Sequence, residues 1–205
     1  MKSLTFHRLI NDMYRNSKLE EIYEPAEDTF LLLKAALNEA NPSDWAIEIG
    51  CGRAIISCEL AKKVKCILAT DINPHAVRLA RDCGINAIFA DLFRGFKARF
   101  NLVIFNPPYL PTTAEEKLEG WTNLAIDGGE DGRDIIFRFL EQIKDHLSPN
   151  GRSLLLISSL TGLNEVKEKA REEGLIVREV ASKKLFFERL FVIKIQIRNN
   201  NYIII

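Results

Sequence analysis

Two prolines between an asparagine and a tyrosine, at residues 106–109, could hold a planar amino group for chemistry. They follow the apolar run Leu102–Phe105, which is typical of a buried strand. The prolines end that strand because they lack N–H donors and have a fixed φ. Asn106 and Pro107 then offer a side-chain oxygen and a carbonyl as fixed acceptors, and Tyr109 offers a stacking surface. We predict that this shelf, residues 106–109, binds a planar –NH2 group.

A glutamine amide and the exocyclic amine of adenine or cytosine both have this shape. Hydrogen bonds to both N–H protons draw electron density onto the nitrogen and direct it at an electrophile. The alternative is a proline-rich turn after a strand, since Asn-Pro is a common turn dipeptide. The tetrapeptide alone leaves both interpretations open, and a second motif upstream decides between them.

That second motif is a glycine turn between a strand and a helix. The segment Trp45–Ile49 is an apolar strand that carries Glu48, and Gly50 and Gly52 follow it before a stretch with helical spacing. Strand, turn and helix form the first unit of a nucleotide-binding α/β fold. The two glycines allow a ligand to approach the backbone closely. Ile55 replaces the third glycine of the dinucleotide pattern, which disfavours NAD.

The acid beside the turn indicates a different cofactor. The carboxylate of Glu48 would repel a pyrophosphate, whereas an ammonium or a sulfonium beside it would be favourable. S-adenosylmethionine carries both cations and no phosphate. We therefore predict S-adenosylmethionine as the cofactor.

Two further acids follow the next two predicted strands. Asp71 comes after the strand Cys66–Thr70, at the distance from the glycine turn where an acid binds ribose hydroxyls. Asp91-Leu92 follows the strand Asn86–Ala90, where the carboxylate could accept from an adenine amine. Each acid taken alone is typical of a solvated turn residue or a helix cap. As an ordered set with Glu48, they predict a cofactor site.

At this point the chain resembles a known family. The set is similar to class I methyltransferases of the Asn-Pro-Pro-Tyr type, and more narrowly to HemK-like glutamine methyltransferases that modify translation termination factors. The narrow resemblance is to the archaeal and eukaryotic branch. It rests on residues 23–33 (Tyr-Glu-Pro-Ala-Glu-Asp-Thr-Phe-Leu-Leu-Leu), 70–74 (Thr-Asp-Ile-Asn-Pro) and 127–133 (Asp-Gly-Gly-Glu-Asp-Gly-Arg).

The resemblance implies the activity, the acceptor and a partner. It implies methyl transfer from S-adenosylmethionine to the side-chain amide of a glutamine in the Gly-Gly-Gln segment of a peptide-chain release factor. Relatives in this branch often work with a small zinc-binding activator protein. Together with the patterns above, it predicts catalytic roles for Asn106, Pro107 and Tyr109, no metal ligands, and cofactor contacts at these positions: Asp28, Thr29, Glu48, Gly50, Gly52, Asp71, Ile72, Asp91, Leu92 and Asn106.

The chain departs from the family pattern in three places. Ala54 stands where the family usually has a third glycine, and residues 121–127 differ from the commoner wording before the Gly-Gly pair. Bacterial relatives carry a helical N-terminal substrate-binding domain, whereas about twenty residues precede the motif block here, too few for such a domain.

Composition limits the class of protein. The 205 residues support one domain with a sizeable core, and 28 Lys+Arg against 28 Asp+Glu leave a formal net charge of zero. A protein that clamps nucleic acid unaided usually has a basic excess, so nucleic acid is not the expected partner. No apolar stretch reaches the length of a membrane span and no signal peptide is seen. The four cysteines form no Cys-x-x-Cys pair and suit free thiols in a reducing cytoplasm.

The pattern of elements predicts an α/β fold. Alternating strands and helices indicate a Rossmann-like, seven-stranded, mostly parallel sheet with helices on both faces and an antiparallel last strand. We expect an N-terminal arm (1–22), a methyltransferase domain (23–198), a tail (199–205) and a long functional loop at 106–132. The predicted helices span 28–40, 53–63, 74–82, 133–146 and 161–173. Asp28 or Thr29 is the predicted cap of the first helix, and Thr161 that of the last. The remaining predicted strands span 101–105, 153–158, 175–181 and 189–197.

Two other function classes stay open on the residues alone. One is an amino-methyltransferase of DNA or RNA, which would use the same shelf but lacks a basic surface and a separate recognition domain here. The other is a cofactor-binding subunit without catalysis, which would not need the shelf. The strand Ile85–Ala90 is a predicted sheet edge with apolar residues, and it either pairs with a partner or is covered by its own helices.

Overall fold

The apolar runs of the sequence become the strands of a single sheet. The structure is a computed structural model that describes residues 19–113 and 120–198. Residues 1–18 of the predicted arm, and the predicted tail 199–205, lie outside the described residues.

The seven strands have the order β3-β2-β1-β4-β5-β7-β6. Strands β1 to β5 pair in parallel, and β7 pairs antiparallel with both β5 and β6. The predicted mostly parallel sheet with an antiparallel last strand is confirmed. The bounds are β1 Trp45–Ile49, β2 Cys66–Asp71, β3 Asn86–Phe89, β4 Phe100–Phe105, β5 Leu147–Ser158, β6 Leu175–Lys184 and β7 Arg189–Ile197.

Helices cover both faces of the sheet, as predicted. One apolar core joins α1, α2 and α3 to the sheet, and a second core joins α5 and α6 to the opposite face. None of the described helices is long and apolar enough to cross a membrane. After a 3-10 turn at Leu19–Glu21, the helices are α1 Glu27–Glu39, α2 Ile55–Leu60, α3 Pro74–Asp82, α4 Trp121–Leu124, α5 Asp134–His146 and α6 Leu163–Glu172.

Several predicted boundaries were wrong for local reasons. The helix predicted at 53–63 starts only at Ile55, because Ala54 has φ 56°, outside the helical region, and it ends at Leu60. Thr161 does not cap the last helix: Gly162 holds that position, and the Thr161 hydroxyl donates back to the Ser158 carbonyl at 2.7 Å. Strand β5 starts at Leu147 rather than at 153, and a register irregularity against β4 accommodates the extra residues, which include Asn150 and Gly151.

The topology brings the sequence motifs to one edge. Because β1, β2, β3 and β4 run parallel, their carboxyl ends share an edge of the sheet. The glycine turn, Asp71, Asp91 and the shelf follow those four ends in turn. Strand β3 is the outermost strand on one side, so the predicted sheet edge is confirmed.

Candidate active site

A cavity of about 290 Å³ opens at the carboxyl edge of the sheet. Every residue that the sequence assigned to catalysis or cofactor binding lies in its wall. The carboxyl ends of the parallel strands, the start of α1 and the loop after the shelf all contribute. The residues brought together are Asp28, Thr29, Glu48, Gly50, Gly52, Asp71, Ile72, Asp91, Leu92, Asn106, Pro107 and Tyr109.

The amide of Asn106 has a defined orientation in this cavity. Its Nδ2 donates to Oδ2 of Asp28 at 3.0 Å. Because an ionised carboxylate can only accept, the amide nitrogen must face Asp28 and the oxygen must point the other way. That oxygen, Oδ1, is buried and has no hydrogen-bond partner among the described residues. An unpaired buried acceptor costs about 1–3 kcal/mol, so the site is built to receive a donor there.

Asp28 is a buried anchor rather than a helix cap. Its Oδ2 also accepts from the Tyr23 hydroxyl at 2.9 Å, and its Oδ1 accepts from the Thr29 N–H at 2.6 Å. The predicted capping role was wrong, because α1 starts one residue earlier and Ala26 stands at the cap without a side-chain bond. The start of α1 still lies at the cavity, as the sequence indicated.

The shelf is supported from behind by the loop that precedes α5. Leu110 pairs with this loop through the bonds Leu110 N–H to Ile126 O (3.1 Å) and Gly128 N–H to Leu110 O (3.0 Å). Gly132 has φ 74°, and a Cβ there would lie 2.4 Å from the Tyr109 carbonyl oxygen. Only glycine therefore fits at that contact, which gives the Gly-rich block of residues 127–133 a structural purpose.

Tyr109 completes the shelf as a neutral side chain. Burial raises the pKa of its hydroxyl well above the usual value, and the charges of Asp28 and Glu188 add to the rise. The phenol therefore stays protonated at physiological pH. It offers a ring face and an O–H rather than a base.

The glycine turn places backbone, not side chains, against the cavity. Gly50 and Gly52 have φ values of 63° and 49°, and a Cβ at Gly52 would meet nothing within 4 Å. The Gly52 N–H donates to Oδ2 of Asp71 at 2.9 Å, which ties the turn to β2. Ala54 also has a left-handed backbone, which is the reason a glycine suits this position in the family.

Glu48 is a buried acid at the end of β1. Its Oε2 accepts from the Ser57 N–H at 2.8 Å and from the Ser57 hydroxyl. Burial raises its pKa to about 8; the Ser57 bonds oppose the rise and the charge of Asp71 adds to it. Ionised Glu48 is thus unfavourable in the cofactor-free protein, and a cation in the cavity would reverse this.

The other two acids have different surroundings. Asp71 is buried, which raises its pKa, and the N–H groups of Asn73, Gly52 and Ile72 oppose that rise. Asp91 is partly exposed and forms an ion pair with Arg138 of α5 at 2.6 Å. Asp91 still lies in the cavity wall, so its ion pair with Arg138 is compatible with the predicted cofactor contact.

Some residues of the site were not given a role from the sequence. Tyr23 had been noted as part of the motif block only, and Ser57 was not singled out. Trp121 of α4 lies in the cavity wall, and α4 itself was not predicted inside the long loop. The position of Tyr23, five residues before Asp28 in the motif block, was the available signal; nothing marked Ser57.

The comparisons with known proteins agree with this geometry. The family model "Methyltransferase small domain" matches residues 27–125. A protein of Methanocaldococcus jannaschii assigned as a protein N5-glutamine methyltransferase is 42% identical over 180 residues, or 84% of this chain and 90% of that protein. The eRF1 methyltransferase catalytic subunit mtq2 of Schizosaccharomyces pombe is 30% identical, over 91% of this chain and 94% of that protein.

A solved structure shares the fold closely. It is the E. cuniculi Mtq2-Trm112 complex responsible for methylation of the eRF1 translation termination factor. The matching chain has a TM-score of 0.72 and 29% identity, and the match covers 86% of this chain and 99% of that chain.

Fold and site together define a methyltransferase with a Rossmann-like sheet and an Asn-Pro-Pro-Tyr shelf. More narrowly, the chain belongs to the protein glutamine N5-methyltransferase family. The HemK-like resemblance stated from the sequence is confirmed.

Proposed function

We propose that this enzyme transfers a methyl group from S-adenosylmethionine to the side-chain amide nitrogen of a glutamine in a peptide-chain release factor. The target glutamine lies in a Gly-Gly-Gln segment. The observation that carries the proposal is the buried Oδ1 of Asn106, an acceptor that has no donor among the described residues. A primary amide supplies the missing donor.

Two oxygens in fixed positions match the two N–H groups of the glutamine amide that accepts the methyl group. Oδ1 of Asn106 accepts one amide N–H, and the carbonyl of Pro107 accepts the other. Asp28 keeps the Asn106 side chain from rotating, because it holds Nδ2 at 3.0 Å. Tyr109 packs against the amide plane. Positioning and electrostatics of this kind supply most of the rate acceleration.

The acid set of the cavity fits S-adenosylmethionine. Glu48 is buried, and binding of a cation relieves the cost of its charge. Asp71 would hold the ribose hydroxyls, and Asp91 with Leu92 would hold the adenine end. Thr29, Ile72 and the glycine turn complete the wall. The bound cofactor supplies an electrophilic methyl group on a sulfonium.

The proton of the amide leaves late. An amide nitrogen is a weak nucleophile, and it becomes acidic only as it gains the methyl group. The phenol of Tyr109 is held protonated by its raised pKa, so it is not the base. Water takes the proton once the charge develops.

A small zinc-binding activator is the proposed partner, and β3 is its docking edge. The apolar side chains of Ile88 and Phe89 on this outer strand are exposed, Phe89 to 64%. Unpaired edge strands with apolar side chains invite strand pairing. Co-expression with the activator is expected to raise the yield of soluble enzyme, and a Phe89→Lys variant is expected to lose that gain. An equal yield with and without the activator would contradict the proposal.

The acceptor is tested by transfer of labelled methyl. The enzyme, with and without the activator, is given a release factor, its Gly-Gly-Ala variant, bulk DNA and bulk RNA. We expect label on the wild-type factor alone. Label on nucleic acid with the factor unlabelled would overturn the acceptor while leaving the methyltransferase fold in place.

A further inference from the structure

Two phenylalanines at the tip of the β6–β7 hairpin are almost fully exposed. Phe186 is 90% and Phe187 87% exposed, and their rings form an edge-to-face pair with the ring centroids 4.5 Å apart. A soluble protein rarely displays two adjacent aromatic rings without a partner. Aromatic side chains of this kind are the usual anchors of protein interfaces.

The sheet topology places this tip at the cavity edge of the molecule. Strand β7 is antiparallel to β5, so the start of β7 lies beside the carboxyl end of β5, where Ser158 pairs with Leu190. Two strand spacings of about 4.8 Å each separate β7 from β4, which carries the shelf. The activator edge, β3, is at the opposite end of the sheet.

The hairpin is joined to the shelf by a chain of contacts. The Ser159 N–H donates to the Arg189 carbonyl at 2.8 Å, and the Arg189 N–H donates to the Ser159 hydroxyl at 2.9 Å. Two residues along, Thr161 borders Gly132, which in turn borders the Tyr109 carbonyl. Leu160 lies between these contacts and is itself half exposed. These contacts connect the hairpin, through residues 159–161, to the loop that supports the shelf.

Charged groups hold the tip in place. The Glu188 carboxylate accepts from the Ser158 hydroxyl, and the same charge raises the pKa of Tyr109. Lys183 forms an ion pair with Glu27 at the start of α1. The hairpin is thus tied on one side to β5 and on the other to α1, whose start lines the cavity, and its rings project from this base.

The division of the sheet indicates what binds there. Apart from Asp28 and Thr29 of α1 and Asn106 of the shelf itself, the predicted cofactor residues follow β1, β2 and β3, on one side of the shelf, which leaves the β5–β7 side for a large acceptor. Lys184 and Arg189 are both exposed and flank the two rings in sequence, while Glu188, beside Phe187, is bonded to Ser158. An apolar side chain with acidic neighbours would match this surface.

We propose that Phe186 and Phe187, with Leu160, form a docking platform for the substrate protein. The platform holds a segment of that protein outside the Gly-Gly-Gln loop while the loop enters the cavity. This inference rests on the proposed function, since the occupant is the protein that carries the target glutamine.

The test compares a double variant, Phe186→Ser with Phe187→Ser, with a matched control. Ile176→Ser removes an exposed apolar side chain from the other end of β6, away from the cavity. Both enzymes are assayed with the intact release factor and with a short Gly-Gly-Gln peptide, and binding of the factor is measured by calorimetry. The double variant is expected to lose roughly tenfold or more in kcat/KM on the factor, through KM. Activity on the peptide, cofactor affinity and the control variant should be unchanged.

Several results would overturn the platform. One is an unchanged KM and Kd of the double variant for the factor. Another is an equal loss of kcat/KM on the factor and on the peptide. A third is a loss of self-association, or of binding to anionic vesicles, while the kinetics on the factor stay unchanged. Failure of the proposed function looks different. In that case the wild-type enzyme leaves the factor unlabelled, while calorimetry still reports whether the factor binds and whether the two rings matter.

Discussion

Asn106 and Asp28 are 78 residues apart in sequence and form one hydrogen bond of 3.0 Å in the cavity. The bond joins the shelf after β4 to the first turn of α1. It turns the amide oxygen of Asn106 away from Asp28, where it is buried without a donor among the described residues. The orientation of the proposed acceptor atom, Oδ1 of Asn106, thus depends on Asp28, a residue of another element.

Asp28→Asn is therefore expected to lower turnover. The amide introduced at position 28 no longer forces the Asn106 oxygen to point away from that residue. A buried hydrogen bond to a charged group is also lost, at a cost of about 1.5–3 kcal/mol. We expect kcat to fall by about ten- to a hundredfold on that basis. Tyr23→Phe removes the other donor to the same carboxylate oxygen and should cost less. A variant with wild-type kcat would contradict the positioning role of Asp28.

Gly132→Ala should damage both stability and turnover. A Cβ there would lie 2.4 Å from the Tyr109 carbonyl and 2.9 Å from a Thr161 methyl group, at a φ of 74°. Overpacking and backbone strain together should lower the free energy of unfolding by about 2–4 kcal/mol, measured by urea denaturation.

Gly174→Ala is the matched control for that substitution. Gly174 has the same φ of 74°, but its Cβ would meet only the end of a flexible lysine at 3.4 Å. This substitution should lower the free energy of unfolding by about 1 kcal/mol, because it introduces backbone strain alone. Equal losses in the two variants would show that the close approach to Tyr109 is unimportant.

Cofactor affinity should depend on pH through Glu48. Its pKa of about 8 means that the carboxyl is largely protonated at neutral pH in the cofactor-free protein. A bound cation favours the ionised form, so binding releases a proton and strengthens as pH rises. Between pH 6 and 7.5 we expect up to about a tenfold gain per pH unit.

Glu48→Gln tests this assignment. It should remove most of the pH dependence of cofactor affinity between pH 6 and 7.5, measured by calorimetry. The same shift predicts that the cofactor-free protein loses stability as pH rises from about 4.5 to about 8, since the unfolded chain gives up the Glu48 proton first. A pH-independent affinity in the wild-type protein would exclude a cation beside Glu48.

Much of this architecture follows from local sequence patterns. Strands β1 and β7 and helix α3 have the predicted bounds, because apolar runs and the Pro74 start are local signals. The convergence of the acids and the shelf follows from parallel strand order. The wrong boundaries arose where a residue adopts a left-handed backbone, as Ala54 does, or where a strand continues past a turn, as β5 does.

The orientation of the site residues could not be predicted in the same way. Asp28 carries every feature of a helix cap, and only the tertiary fold shows that it bonds to Asn106 and Tyr23 instead. The Asp91–Arg138 ion pair likewise joins a strand end to a helix 47 residues away. Interactions of this kind depend on how helices pack against the sheet, and a sequence pattern does not encode that packing locally.

The most direct test of the account is the Asn106→Ala variant, with cofactor binding and methyl transfer measured separately. Single-turnover transfer to the release factor should fall by about a hundredfold or more, as for loss of an oriented acceptor, while the Kd for S-adenosylmethionine stays near the wild-type value. Asn101→Ala, at the other end of β4, is the matched control and should transfer normally. Loss of cofactor binding in Asn106→Ala, or transfer at the wild-type rate, would contradict the role assigned to Asn106.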